Sequence, residues 1–134
     1  MTTPFGPRLI GETEKTLNAV LRRILDGTDL TESQWVTLRL AELLDGGVDR
    51  SGLVDAVQDR AHFDDAAELV EALGERGLLV GGRLSAAGSA LVGEIQSTIA
   101  TRTSSVWNDL PADDVEAATR VLNEVVERAR LVLA

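Results

Sequence analysis

The sequence predicts a mainly α fold of six helices, with one short β-hairpin between the fourth and the fifth. Three features of the 134 residues predict it. Apolar residues recur about every 3.6 positions through most of the chain. Residues suited to opening helices, namely Thr31, Ser85 and the pair Asp113-Asp114, stand at the head of three of those stretches. Only Leu78 to Leu84 breaks the helical rhythm, with Gly81-Gly82 at its centre.

Residues 1 to 8 hold two prolines and a glycine and are expected to form a loose arm. The first helix covers about residues 9–26, with Leu9, Ile10, Leu17, Val20, Leu21, Ile24 and Leu25 on one side. Thr31-Glu32-Ser33-Gln34 fits a capping box, in which the threonine hydroxyl and the glutamine amide each satisfy an early backbone N–H. The second helix therefore starts there, carries Trp35, Val36, Leu38, Leu40, Leu43 and Leu44, and stops at Gly46-Gly47. Asp49 or Ser51 opens a short third helix through Gln58, striped by Leu53, Val54 and Val57.

The fourth helix is expected from Asp64 to about Glu75. Its two leading aspartates favour the positive end of the helix dipole, and Gly77 closes it. Leu78-Leu79-Val80 and Arg83-Leu84 then pair as a hairpin through a Gly81-Gly82 turn that accepts positive φ. Ser85 caps a long fifth helix, Pro111 interrupts, and the last helix runs from about Ala112 to Leu133. That helix carries an apolar stripe of Val115, Ala118, Val121, Leu122, Val125, Val126 and Leu131.

Composition limits what such a fold can do. Thirteen basic against 22 acidic residues give a formal charge of −9 and a pI of about 4.5, whereas a DNA-binding domain commonly has a pI above about 9. There is no cysteine, which removes disulfides, thiolate metal sites and a cysteine nucleophile together. His62 is the only histidine, so it reads as a polar loop residue, and no metal or cofactor is expected. The carboxylates are scattered over helix surfaces without a nucleophile, base or phosphate loop beside them, and no enzyme is expected. No apolar run reaches the roughly 20 residues of a membrane span, and the N-terminus lacks the layout of a signal peptide. The expected location is cytoplasmic, away from membranes.

The wording of three segments points to a family. Leu30-Thr31-Glu32-Ser33-Gln34-Trp35 resembles the opening of the second helix in MarR-family regulators. Leu69-Val70-Glu71-Ala72-Leu73-Gly74-Glu75-Arg76-Gly77-Leu78-Leu79 is similar to that family's passage from recognition helix into wing, and Leu84-Ser85-Ala86-Ala87-Gly88-Ser89-Ala90-Leu91 to its exit from the wing. The resemblance implies a single winged-helix domain over residues 1–134. Its winged helix-turn-helix core lies at about residues 28–85 with a minimal β-hairpin wing, and its N- and C-terminal dimerisation helices lie at about residues 9–26 and 86–134. It also implies a homodimeric transcriptional regulator responsive to a small-molecule effector.

This chain departs from the family at the surfaces that would meet double-stranded DNA. The wing shrinks to Gly81-Gly82-Arg83, with one cation. Residues 60 to 76 contain Asp64, Asp65, Glu68, Glu71 and Glu75 against Arg60 and Arg76, a local formal charge of −3. Duplex affinity comes largely from cations that displace condensed counterions, so weakened DNA binding is expected.

The candidate DNA-contacting residues are Arg50, Arg60, His62, Asp64, Asp65, Glu68, Arg76 and Arg83. The same helix reads equally as a solvated acidic face. Trp35 and Trp107 are candidates to line an effector pocket or, more plainly, to fill a core. Two readings of the whole follow: a DNA-binding MarR-like regulator, or a winged-helix scaffold whose acidic dimer binds a basic protein partner or a small apolar ligand.

Overall fold

A computed structural model describes residues 2–134. It is mainly helical, with a single two-stranded antiparallel sheet among the described residues. Helices α1 (Pro7–Leu25), α2 (Glu32–Leu44), α3 (Arg50–Ala56) and α4 (Ala66–Glu75) precede strands β1 (Leu79–Val80) and β2 (Arg83–Leu84), and α5 (Ala86–Trp107) and α6 (Ala112–Leu133) follow. A π-helical turn, Val57–Ala61, prolongs α3. The chain divides into two compact units, one reaching Ala100 and one comprising Thr101–Ala134. No described helix is long and apolar enough to cross a membrane.

Local chemistry accounts for most element ends. α1 opens two residues earlier than its apolar pattern, because Pro7 sits at the first helical position, where its fixed φ suits a helix and its missing N–H costs nothing. At α2 both capping-box bonds form: Gln34 N donates to Thr31 Oγ1 at 3.2 Å, and Thr31 N donates to Gln34 Oε1 at 3.0 Å. That helix ends one residue before its glycines, since Asp45 itself takes the left-handed conformation at φ 47°. Aspartate tolerates this because its short polar side chain can bond locally. Asp49 caps α3, its Oδ1 accepting from Gly52 N at 2.8 Å. α4 opens at Ala66, so Asp64 and Asp65 precede the helix, and Asp65 makes no side-chain capping bond.

In the unit ending at Ala100, one face of each helix closes on a common core. Leu38, Leu53, Val57, Leu73 and Val92 are fully buried there, joined by Trp35, Leu69, Val70 and Ile95. Each such side chain contributes about 1.5–3 kcal/mol through burial. Thr37 is also fully buried, and its Oγ1 donates to Ser33 O at 2.8 Å. No buried side-chain polar atom among the described residues lacks a partner.

The hairpin is short but anchored. Leu79 pairs with Leu84 and Val80 with Arg83, leaving a two-residue loop. Only Gly81 has positive φ, at 63°, the pattern of a type II′ turn. Gly82 is needed for a different reason: a Cβ there would lie 2.4 Å from the backbone oxygens of both Val48 and Asp49. The tip thus rests on the turn between α2 and α3. At its base, Ser85 N donates to Leu78 O at 3.1 Å, while Ser85 Oγ donates to Gly77 O at 2.5 Å and accepts from Gly88 N at 3.0 Å. Gly88 lies so close that a Cβ would sit 2.1 Å from Leu78 O.

In the unit Thr101–Ala134, α6 buries none of its residues. Val115, Val121, Leu122, Val125, Val126, Leu131, Val132 and Leu133 all remain exposed. The opposite side of the helix carries i,i+4 ion pairs, Glu116 with Arg120 at 3.6 Å and Glu124 with Arg128 at 3.0 Å.

Candidate functional site

α4 packs beside β1 of the hairpin in the first unit, and the π-helical turn, packed on α2 and α3, precedes α4 in the chain. α4 directs Ala66, Leu69, Val70 and Leu73 into the core, which follows from their spacing and fixes which residues are left outside. Those are Glu68, Glu71 and Glu75, preceded by exposed Asp64 and Asp65. His62, also exposed, ends the π-helical turn in the left-handed conformation at φ 58°, with its N–H donating to Gln58 O at 3.1 Å. Histidine is among the side chains more often found there.

Two of the four arginines singled out as candidate DNA contacts make contacts within the chain. Arg76 follows α4, and its Nη1 donates to Asp29 O at 2.7 Å, tying the end of α4 to the loop between α1 and α2. Arg50 begins α3 and lies 4.0 Å from the Glu71 carboxylate. Arg83, on β2, lines a cavity with Glu42 and Asp45. Arg60, exposed on the π-helical turn, makes no ion pair, and neither does exposed Arg83.

Likewise the side chains of Asp64, Asp65, Glu68 and Glu75 make no ion pair or hydrogen bond among the described residues. A recess of about 320 Å³ separates α4 from the hairpin, lined by Arg50, Val70, Glu71, Gly74, Glu75 and Leu79 with Gly81 at its edge. Its walls carry two carboxylates and one guanidinium, the latter beside Glu71. The uncompensated charge in the recess is that of a carboxylate.

The tryptophans have separate settings. Trp35 is 5% exposed in the core of the first unit, with the Arg39 guanidinium 5.9 Å from its ring centroid, at the outer limit of a cation–π contact. Trp107 ends α5 in the second unit and is 57% exposed. Neither lines the cavity beside Arg83 or the recess between α4 and the hairpin. Reading by residue type missed Glu42, Asp45 and Ser89, which the fold gathers around Arg83. Their one sequence signal is an aspartate set directly before Gly46-Gly47.

No group of three or more histidine, aspartate or glutamate side chains is placed to hold a metal ion among the described residues. No protein-family model, curated protein or solved structure matches the chain.

Proposed function

We propose that this chain is a homodimeric winged-helix protein of the MarR regulator type whose α4–hairpin face docks on a basic protein surface in place of duplex DNA. One observation carries the reading: Asp64, Asp65, Glu68 and Glu75 stand unpaired against two unpaired arginines, Arg60 and Arg83, while Arg50 lies 4.0 Å from Glu71 and Arg76 bonds the Asp29 carbonyl. Phosphates approaching this face would meet unpaired anions and gain few cations, so counterion release could not drive binding. A lysine or arginine finds the reverse. Its charge meets Glu75 and Glu71 while its alkyl stem lies on Val70 and Leu79 in the recess. Acidic surfaces of this kind also steer basic partners during encounter.

The dimer rests on α6. Val115, Ala118, Leu122, Val125, Ala129 and Val132 follow each other at alternating steps of three and four, the repeat that two helices bury between them. Left wet, that stripe forgoes about 25 cal/mol for each Å². A second copy is the simplest cover, since most oligomers of soluble proteins are symmetric homodimers.

A second reading, in which the protein reads DNA, keeps support from the order of elements and from exposed Arg60 and His62 ahead of α4. Fluorescence anisotropy at low salt separates the two. A lysine- and arginine-rich peptide binds wild type and loses about tenfold in affinity to the triple substitution Glu68→Gln, Glu71→Gln, Glu75→Gln, the summed effect of exposed charges worth about 0.2–1 kcal/mol each. A labelled duplex gives no saturable signal. Tight duplex binding that Arg60→Gln weakens would instead support the DNA reading.

A further inference from the structure

We propose that the cavity where α2, β2 and α5 meet binds a free α-amino acid, neutral or basic, by gripping both of its charged ends. The cavity has a volume of about 330 Å³ and opens to solvent past Asp45, Arg83 and Ser89; the volume lies within the range of about 300–1,000 Å³ usual for small-ligand sites. Its polar wall consists of Glu42, Asp45, Arg83 and Ser89, and Ala41 and Leu84 supply apolar surface.

Opposite charges that share a concavity ordinarily pair. Here the side chains of Arg83 and Asp45 form no ion pair or hydrogen bond with each other or with any other described residue. Arg83 is nevertheless placed: a Cβ on Gly46 would lie 3.8 Å from Arg83 Cδ, so the arginine stem runs alongside the end of α2. Asp45 is placed by its left-handed backbone, and its N–H donates to Ala41 O and Glu42 O. Glu42 is fixed from two sides, its Oε1 accepting from Gln96 Nε2 at 3.0 Å and from Arg39 Nη1. The cavity therefore holds one unpaired guanidinium and one unpaired carboxylate, those of Arg83 and Asp45, while Glu42 is already paired with Arg39.

A molecule carrying an ammonium and a carboxylate satisfies both. Its carboxylate accepts paired N–H bonds from the Arg83 guanidinium, a geometry in which arginine excels. Its ammonium donates to Asp45, with Glu42 adding field and Ser89 offering a hydroxyl. A second carboxylate on the ligand would face Asp45, the unpaired carboxylate of the wall, and this disfavours acidic amino acids. The site shares Arg83 with the hairpin but none of the α4 carboxylates, so amino-acid binding and peptide binding at Glu68, Glu71 and Glu75 are read separately.

The test is isothermal titration calorimetry of the full chain with the twenty common amino acids, up to about 10 mM, enough to reveal a Kd of about 1 mM. The best ligand is then compared with its amide, which lacks the carboxylate charge, and its N-acetyl form, which lacks the ammonium. Each derivative is expected to bind about tenfold or more weakly, the scale of one charge-assisted hydrogen bond. In Arg83→Gln the parent weakens equally and amidation no longer matters. In Asp45→Asn, which keeps a side chain tolerant of the left-handed backbone, acetylation no longer matters. Unchanged thermal melting shows that both variants fold. Absence of binding by every amino acid, derivatives as tight as the parent, or undiminished sensitivity to amidation in Arg83→Gln would each overturn the proposal.

Discussion

Substituting Gly82 by alanine tests how the hairpin is held. An ideal Cβ at this position lies 2.4 Å from Val48 O, 2.4 Å from Asp49 O and 2.6 Å from Asp49 C. Carbon and carbonyl oxygen rarely approach closer than about 3.3 Å, so hairpin and turn must separate by about 1 Å. All three obstructing atoms are backbone, and none can rotate aside. The turn itself resists, because Asp49 is engaged as the cap of α3 through Gly52 N at 2.8 Å. Overpacking of this kind costs about 1–3 kcal/mol. For a chain of this length that lowers the melting temperature by about 4–12 °C, at about 4 °C per kcal/mol. Thermal unfolding followed by far-ultraviolet circular dichroism measures it. Gly93→Ala is the control: it lies within α5, nothing stands within 4 Å of its Cβ position, and it is expected to stabilise by about 0.5–1 kcal/mol. A Gly82→Ala protein that melts at or above the wild-type temperature refutes the packing of the hairpin tip on the α2–α3 turn.

Thr31→Ala removes one half of the capping box at α2 and should cost about 1 kcal/mol in urea denaturation with an unchanged slope. Leu122→Asp with Val125→Asp places two charges in the α6 stripe; sedimentation velocity should show the mass of a single chain, with helix content retained because neither side chain is buried within the chain. Binding of a basic peptide to the α4–hairpin face should weaken steadily with salt, as the Debye length falls from about 10 Å at 0.1 M to about 3 Å at 1 M. Salt-independent affinity in the same titration would show that apolar contact, and not charge, holds the peptide.

The sequence was most readable where the deciding interaction is local. The capping box at Thr31 and Gln34, the cap at Asp49 and the two-residue hairpin turn each involve partners at most three residues apart, and each forms where its residue types place it. Apolar spacing within α4 likewise placed Leu69, Val70 and Leu73 in the core. What remained hidden depends on distant partners. Arg76 looked like a cation free for DNA, but it meets the Asp29 carbonyl 47 residues away in sequence. Gly82 looked like a residue chosen for positive φ, whereas the approach of Val48 and Asp49 is what requires it. The pair of tryptophans carried no signal to separate a core side chain from an exposed one. Burial of Trp35 is decided by the elements that close over α2, and nothing within the residues beside it specifies them. The cavity around Arg83 draws on α2, β2 and α5 at once, so no single segment announces it.

The claim on which the functional account depends is that the α4–hairpin face receives positive charge. Amide chemical shifts of the isotope-labelled protein, followed while an arginine- and lysine-rich peptide is added and then, separately, a short DNA duplex, test it residue by residue. The peptide is expected to shift the amides of Glu68, Glu71, Glu75 and Gly81 in a saturable way, and the duplex to leave them in place. Saturable shifts at Arg60, His62 and Arg83 on adding the duplex, with none from the peptide, would contradict it.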